Sequence, residues 1–73
     1  MTPDILTRHI ELNTFLRVAM KIAASGGEAK HIIRSESVRV NGEVETRNKR
    51  KLHAGDVVEY MGKKYRVDEG LLR

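Results

Sequence analysis

The hydrophobic period of this chain changes near Glu36: from Leu12 to Ile33 apolar residues recur at three- and four-residue spacing, and from Val38 onward they tend to alternate. A period near 3.6 suits a helix with one buried face, and a period of two suits a half-buried strand. The chain must therefore place helices first and a sheet after them. With 73 residues there is room for one such arrangement, a single domain over residues 1–73. There is no cysteine, so disulfides and thiolate metal ligands are absent and a modest aliphatic core must carry the stability. A reducing cytoplasm fits that composition. No apolar stretch approaches the roughly 20 residues that span a bilayer, and the start, Met-Thr-Pro-Asp, lacks the basic and apolar regions of a secretion signal. Neither export nor membrane insertion is expected.

In the first helical stretch the apolar positions are Leu12, Phe15, Leu16, Ala19, Met20 and Ala23, with Asn13 placed to act as N-cap. Arg17 and Lys21 fall one turn apart on the opposite face, as a pair of cations or simply as exposed polar positions. His9 to Leu12 reads as a short extended segment. The second helix begins at Ser25, which with Glu28 has the spacing of a capping box. Gly26 and Gly27 occupy its first turn, where glycine is a poor helix former. Two reasons stand open: bare backbone that lets a phosphate approach the helix amides, or close packing against the first helix. Ala29, Ile32 and Ile33 supply its buried face, and Lys30 and Arg34 stand at i and i+4 on another.

Beyond Glu36, Val38 and Val40 are expected to face the core, with Arg39 on the other side of the strand. Asn41-Gly42 is a type I′ turn signal, and Val44 opens the returning strand. A second strand pair is expected at Asp56–Tyr60 and Lys64–Val67 around Met61-Gly62-Lys63, packing through Val57, Val58, Tyr60, Tyr65 and Val67. The fold class is α+β: two helices followed by a small, curved, mostly antiparallel sheet.

Charge is distributed unevenly. Residues 1–46 hold six Lys/Arg and six Asp/Glu, whereas residues 47–73 hold eight and four, so the whole net charge of +4 lies in the second part. Arg47, Lys49, Arg50 and Lys51 form its densest run. Such a run is either a solvated loop or a patch for a polyanion.

Leu12-Asn13-Thr14-Phe15-Leu16, Gly27-Glu28-Ala29-Lys30 through Ile33, Val38-Arg39-Val40-Asn41-Gly42 and Gly55-Asp56-Val57-Val58 together resemble the RNA-binding domain named after small-subunit ribosomal protein S-four. The similarity covers roughly residues 11 to 60. In so short a chain it looks most like the standalone bacterial group called YaaA-like or YbcJ-like. The resemblance implies a two-helix αL-type motif followed by the small sheet, with the helix pair and the hairpin holding structured RNA. Many members open the motif with Arg-Leu-Asp and the second helix with Ser-Arg. Here Glu11-Leu12-Asn13 and Gly26-Gly27 stand instead, and the Gly-Gly amides and the run from Arg47 to Lys51 are the available replacements. By motif position Lys30, Arg34, Arg39 and Asn41 carry over best.

The expected RNA-binding residues are thus Ser25, Gly26, Gly27, Lys30, Arg34, Arg39, Asn41, Arg47, Lys49, Arg50 and Lys51. The three aromatics, Phe15, Tyr60 and Tyr65, fall on the buried stripe or in the sheet, leaving few rings for stacking single-stranded bases. Folded ribosomal or transfer RNA, held by phosphate and 2′-hydroxyl contacts, is the expected partner, with a ribosome association and a monomeric protein. The three histidines lie on separate elements and no serine has an evident histidine and carboxylate, so no enzyme, small-molecule substrate or cofactor is expected. His9 and Glu11 could share a face as metal ligands, but a third ligand is missing and no metal is expected. Two rivals use the same charges: a protein-interaction adaptor whose basic loop meets an acidic partner, and a duplex-DNA binder, which the lack of a base-reading helix pattern disfavours.

Overall fold

The computed structural model describes residues 8–72, so the reading of Met1–Asp4 lies outside the described residues. Strand β1 (Ile10–Glu11) runs directly into helix α1 (Leu12–Val18), and helix α2 (Gly26–Arg34) follows. The chain then forms strands β2 (Val38–Val40), β3 (Glu43–Val44), β4 (Lys51–Leu52), β5 (Val57–Tyr60) and β6 (Lys63–Arg66), and closes on a 3₁₀ turn at Glu69–Leu71. Among the described residues all strand pairs are antiparallel, in two sheets: β1 with β4, and a four-stranded sheet in the order β3-β2-β5-β6. This is the α+β architecture that the change of period implies.

One core joins the elements. Leu12, Phe15 and Leu16 of α1, Ala29 and Ile33 of α2, and Val38, Val40, Leu52, Val58 and Val67 are buried together. The alternation in β2 has a simple consequence: Val38 and Val40 face the helices, and Arg39 faces solvent.

Helix α1 departs from expectation at both ends. Its N-cap is Glu11, in extended conformation and without a side-chain cap, while Asn13 lies inside the helix and is buried. The helix then stops at Val18, although Met20 and Ala23 remain in the core. Lys21 adopts a left-handed φ of 55°, and the Ile22 amide turns back to the Leu16 carbonyl at 3.0 Å. Glycine usually takes that conformation, so a lysine there left no sequence mark of the helix end. Arg17 and Lys21 are consequently not one turn apart on a single helix. The start of α2 is as read: Ser25 Oγ accepts from the Glu28 amide at 3.2 Å. Glu28 Oε1 accepts from the Ala24 amide at 3.3 Å, one residue earlier than in a strict capping box.

Both hairpins turn through two left-handed residues, Asn41 (φ 53°) with Gly42 (87°), and Met61 (50°) with Gly62 (81°). These signs are those of type I′ turns, which match the twist of the strands they join. The register Val40↔Glu43 makes Glu43, rather than Val44, open the returning strand. Tyr60↔Lys63 likewise places Lys63 in β6 and not in the turn. In the β1–β4 pair, Ile10↔Leu52 and Glu11↔Lys51, β1 falls within the extended segment expected at His9–Leu12, and β4 is a strand that the sequence did not indicate. Among the described residues no helix is long and apolar enough to cross a membrane.

Candidate functional site

The run from Arg47 to Lys51 is a built loop, held from within by a buried carboxylate. Glu45 is only 6% exposed, and its amide donates to the Val38 carbonyl at 2.9 Å beside the β2–β3 pair. Its Oε2 accepts from the Arg47 amide at 2.9 Å and from Arg47 Nε at 3.0 Å. Its Oε1 accepts from Arg47 Nη2 at 3.0 Å and from Arg50 Nη1 at 2.8 Å. A carboxylate so placed must be charge-compensated, because a buried unpaired charge is costly. The Arg47 hydrogen bonds hold the Glu45 carboxyl well below the usual range, at about 2, against the opposing effect of burial and with further help from Arg50. Glu45 in turn raises the Arg47 guanidinium above its ordinary value.

The loop backbone is tied to the core as well. Carbonyls of Arg50 and Asn48 accept the α1 amides of Leu12 at 2.8 Å and Asn13 at 3.1 Å, and Asn13 Nδ2 adds a bond to the Asn48 carbonyl at 2.9 Å. Loop carbonyls therefore take the place of a side-chain N-cap on α1. The buried Asn13 links the two elements. Downstream, Lys51 enters β4, so the loop is fixed at both ends.

The outward side of this loop is an open depression lined by Arg47, Lys49, Arg50 and Lys51. Arg47 is paired yet its side chain remains 73% exposed, so one edge of its guanidinium grips Glu45 and the other faces solvent. Lys49 and Lys51 are exposed, and among the described residues neither side chain has a hydrogen bond or ion pair. Four cations against one internal carboxylate leave an excess of positive charge directed outward, a surface suited to phosphate oxygens.

The other expected residues fall in two further places. Ser25, Gly26, Gly27, Lys30 and Arg34 lie on exposed parts of α2, with Ala29 and Ile33 beneath. A Cβ at Gly26 or Gly27 would meet nothing within 4 Å, so close packing against α1 does not account for these glycines. Arg39 and Asn41 belong to the β2–β3 hairpin. Asn41 Nδ2 donates to Asp56 Oδ1 at 3.1 Å, its Oδ1 accepts the Val57 amide at 3.0 Å, and its own amide donates to the Val57 carbonyl at 2.8 Å. Its amide group is thus engaged in fastening the hairpin tip to β5. Among the described residues no hydrogen bond or ion pair joins Lys30, Arg34 or Arg39 to the loop.

Sequence reading missed Glu45 and Asn13 as loop anchors. The one local hint was an acidic residue two positions before the basic run, which gives no sign of burial. It also treated the histidines as separate, whereas β1–β4 pairing brings the His9 and His53 rings to 6.5 Å between centroids. Among the described residues no group of three or more His, Cys, Asp or Glu could hold a metal ion.

Two helices, a tight Asn-Gly hairpin and a cationic loop on an antiparallel sheet agree with the outcome of comparison with known proteins. The family model of the S4 domain matches residues 4–68, and the chain belongs to that family. It is similar to the "Probable ribosome maturation protein RlbA" of Bacillus subtilis (strain 168), with 45% identity over 59 residues that cover 81% of this chain and 82% of that protein.

Proposed function

We propose that this protein is a non-enzymatic RNA-binding module that holds the phosphate backbone of structured ribosomal RNA and acts in the cytoplasm during ribosome maturation. The observation that carries this reading is the depression lined by Arg47, Lys49, Arg50 and Lys51 on a loop anchored by Glu45. Surface charge on a free loop binds polyanions weakly, because ordering long side chains costs entropy; anchoring the loop removes part of that cost before RNA arrives. Family membership supports RNA as the polyanion, and the relative named as a probable ribosome maturation protein supports the ribosomal setting. The α2 start and Lys30 with Arg34 extend the contact along exposed backbone and a helix face. Transfer RNA is the alternative with the same chemistry.

The test is crosslinking of the protein to RNA in its own cells, followed by sequencing of the recovered RNA. Lys49→Gln/Lys51→Gln and Lys30→Gln/Arg34→Gln serve as controls. Enrichment of one ribosomal RNA site, lost in the loop variant, supports the reading, and enrichment of a transfer RNA redirects it. Recovery no greater than that of the variants removes it.

A further inference from the structure

The strand register assembles a second cationic surface from residues distant in sequence. Arg39↔Glu59 and Glu59↔Lys64 place Arg39, Glu59 and Lys64 in one row across β2, β5 and β6, and Val57↔Arg66 puts Arg66 in the adjoining row. Because Val38, Val40 and Val58 are buried toward the helices, this row lies on the opposite, outward face of the four-stranded sheet. Arg39, Lys64 and Arg66 are exposed. Strands in a sheet are about 4.8 Å apart and same-face neighbours along a strand about 7 Å apart, so the backbone positions of the three cations are about 7–12 Å from one another. Glu59 is the carboxylate within the row, yet among the described residues no ion pair joins it or any other carboxylate to these cations. Among the described residues the Arg39 side chain donates only to the Gly42 carbonyl, at 3.3 Å. Asp68 and Glu69 border Arg66 at the end of β6 and limit the patch there.

The loop depression is fixed to the start of α1 and to β4, and reaches the four-stranded sheet through the Glu45 amide on the Val38 carbonyl, whereas Arg39, Lys64 and Arg66 stand on the outward face of that sheet. We propose that the outward face of the four-stranded sheet, through Arg39, Lys64 and Arg66, is a second phosphate-binding surface for RNA, so that one chain holds two RNA segments at once. The proposal rests on the RNA reading of the loop and extends it from attachment to bridging. The face suits a phosphate backbone rather than a base-stacking strand: its charges are spread in rows, and Tyr60 and Tyr65 pack against the core instead of lying on it.

The experiment is native mass spectrometry, with sedimentation as a check, on the full chain and excess of an RNA stem-loop of about 16 base pairs at about 50 mM salt. Two stem-loops per chain are expected. Lys64→Gln/Arg66→Gln should reduce this to one, with first-site affinity changed less than about threefold, since the loop supplies that site. Lys49→Gln/Lys51→Gln should also leave one. Both positions substituted on the sheet are exposed, and an unchanged thermal melt verifies that the variant folds. One stem-loop per unmodified chain, or two retained after the sheet-face substitutions, overturns the second surface while leaving the loop reading intact. No bound RNA on the unmodified chain overturns the RNA reading itself.

Discussion

The Glu45 carboxylate and the Arg47 guanidinium meet through two contacts of 3.0 Å, and the same carboxylate accepts the Arg47 backbone amide at 2.9 Å. This pair, with Arg50 as the third member, converts a run of positive charge into a shaped surface. Like charges crowded into five positions repel one another, and a buried carboxylate at their centre offsets that repulsion while fixing the loop.

Glu45→Gln separates shape from charge. It preserves side-chain size but removes the ion pairs and makes the chain more basic. We expect a loss of about 1–3 kcal/mol in urea unfolding, the range for breaking hydrogen bonds to charged groups. RNA affinity should fall despite the added net positive charge. Affinity that rises with the charge would show that loop geometry is irrelevant to binding.

The same residue sets an acid limit. Its carboxyl is held at about 2, below an ordinary 4.5, so the folded state binds its proton less readily than the unfolded state. The stability it contributes is present above pH 4.5 and is lost as pH falls from there toward 2, with a full value of roughly 3 kcal/mol by linkage. Urea midpoints measured across this window should decline in the native chain. In Glu45→Gln that component of the decline should vanish.

Gly26 and Gly27 should show opposite effects on stability and binding. Neither position is crowded, so Gly26→Ala and Gly27→Ala are each expected to stabilise the fold by up to about 1 kcal/mol, the helix preference of alanine over glycine. If bare amides at the start of α2 receive phosphate, the added methyl groups weaken RNA binding several-fold. Calorimetric melts and binding titrations on the same variants measure both.

Asn41 is expected to act through the fold. Asn41→Ala removes the bonds to Asp56 and the Val57 amide and places a Cβ residue without a local side-chain acceptor at φ 53°. A loss of about 1–2 kcal/mol follows from the hydrogen bonds and the turn conformation. RNA affinity measured where the variant is fully folded should change little, in contrast to Lys49→Gln/Lys51→Gln.

What the sequence revealed follows from how local each signal is. Ser25 with Glu28, and Asn41 with Gly42, are short-range devices, and both formed near the expected positions. The buried stripe from Leu12 to Ala23 was also legible, because burial follows spacing even where the helix stops; the stop itself depended on Lys21 adopting a left-handed φ without a glycine to mark it. Strand β4 was hidden because two residues carry no period and its partner Ile10 lies 42 positions away from Leu52. The loop site was visible as charge but not as structure, since Glu45 looks like any acidic residue until Arg47 and Arg50 close on it. The row Arg39–Glu59–Lys64 was invisible for the same reason as β4: register is a long-range property.

The most direct measurement is the salt dependence of affinity for structured ribosomal RNA, for the native chain and for Lys49→Gln/Lys51→Gln. Neutralising about five phosphates gives a log–log slope of about −3.5 to −4.5, and removing two loop cations should make it shallower by about 1.5. A slope near zero, or one unchanged by the loop substitutions, would contradict phosphate binding by the anchored loop.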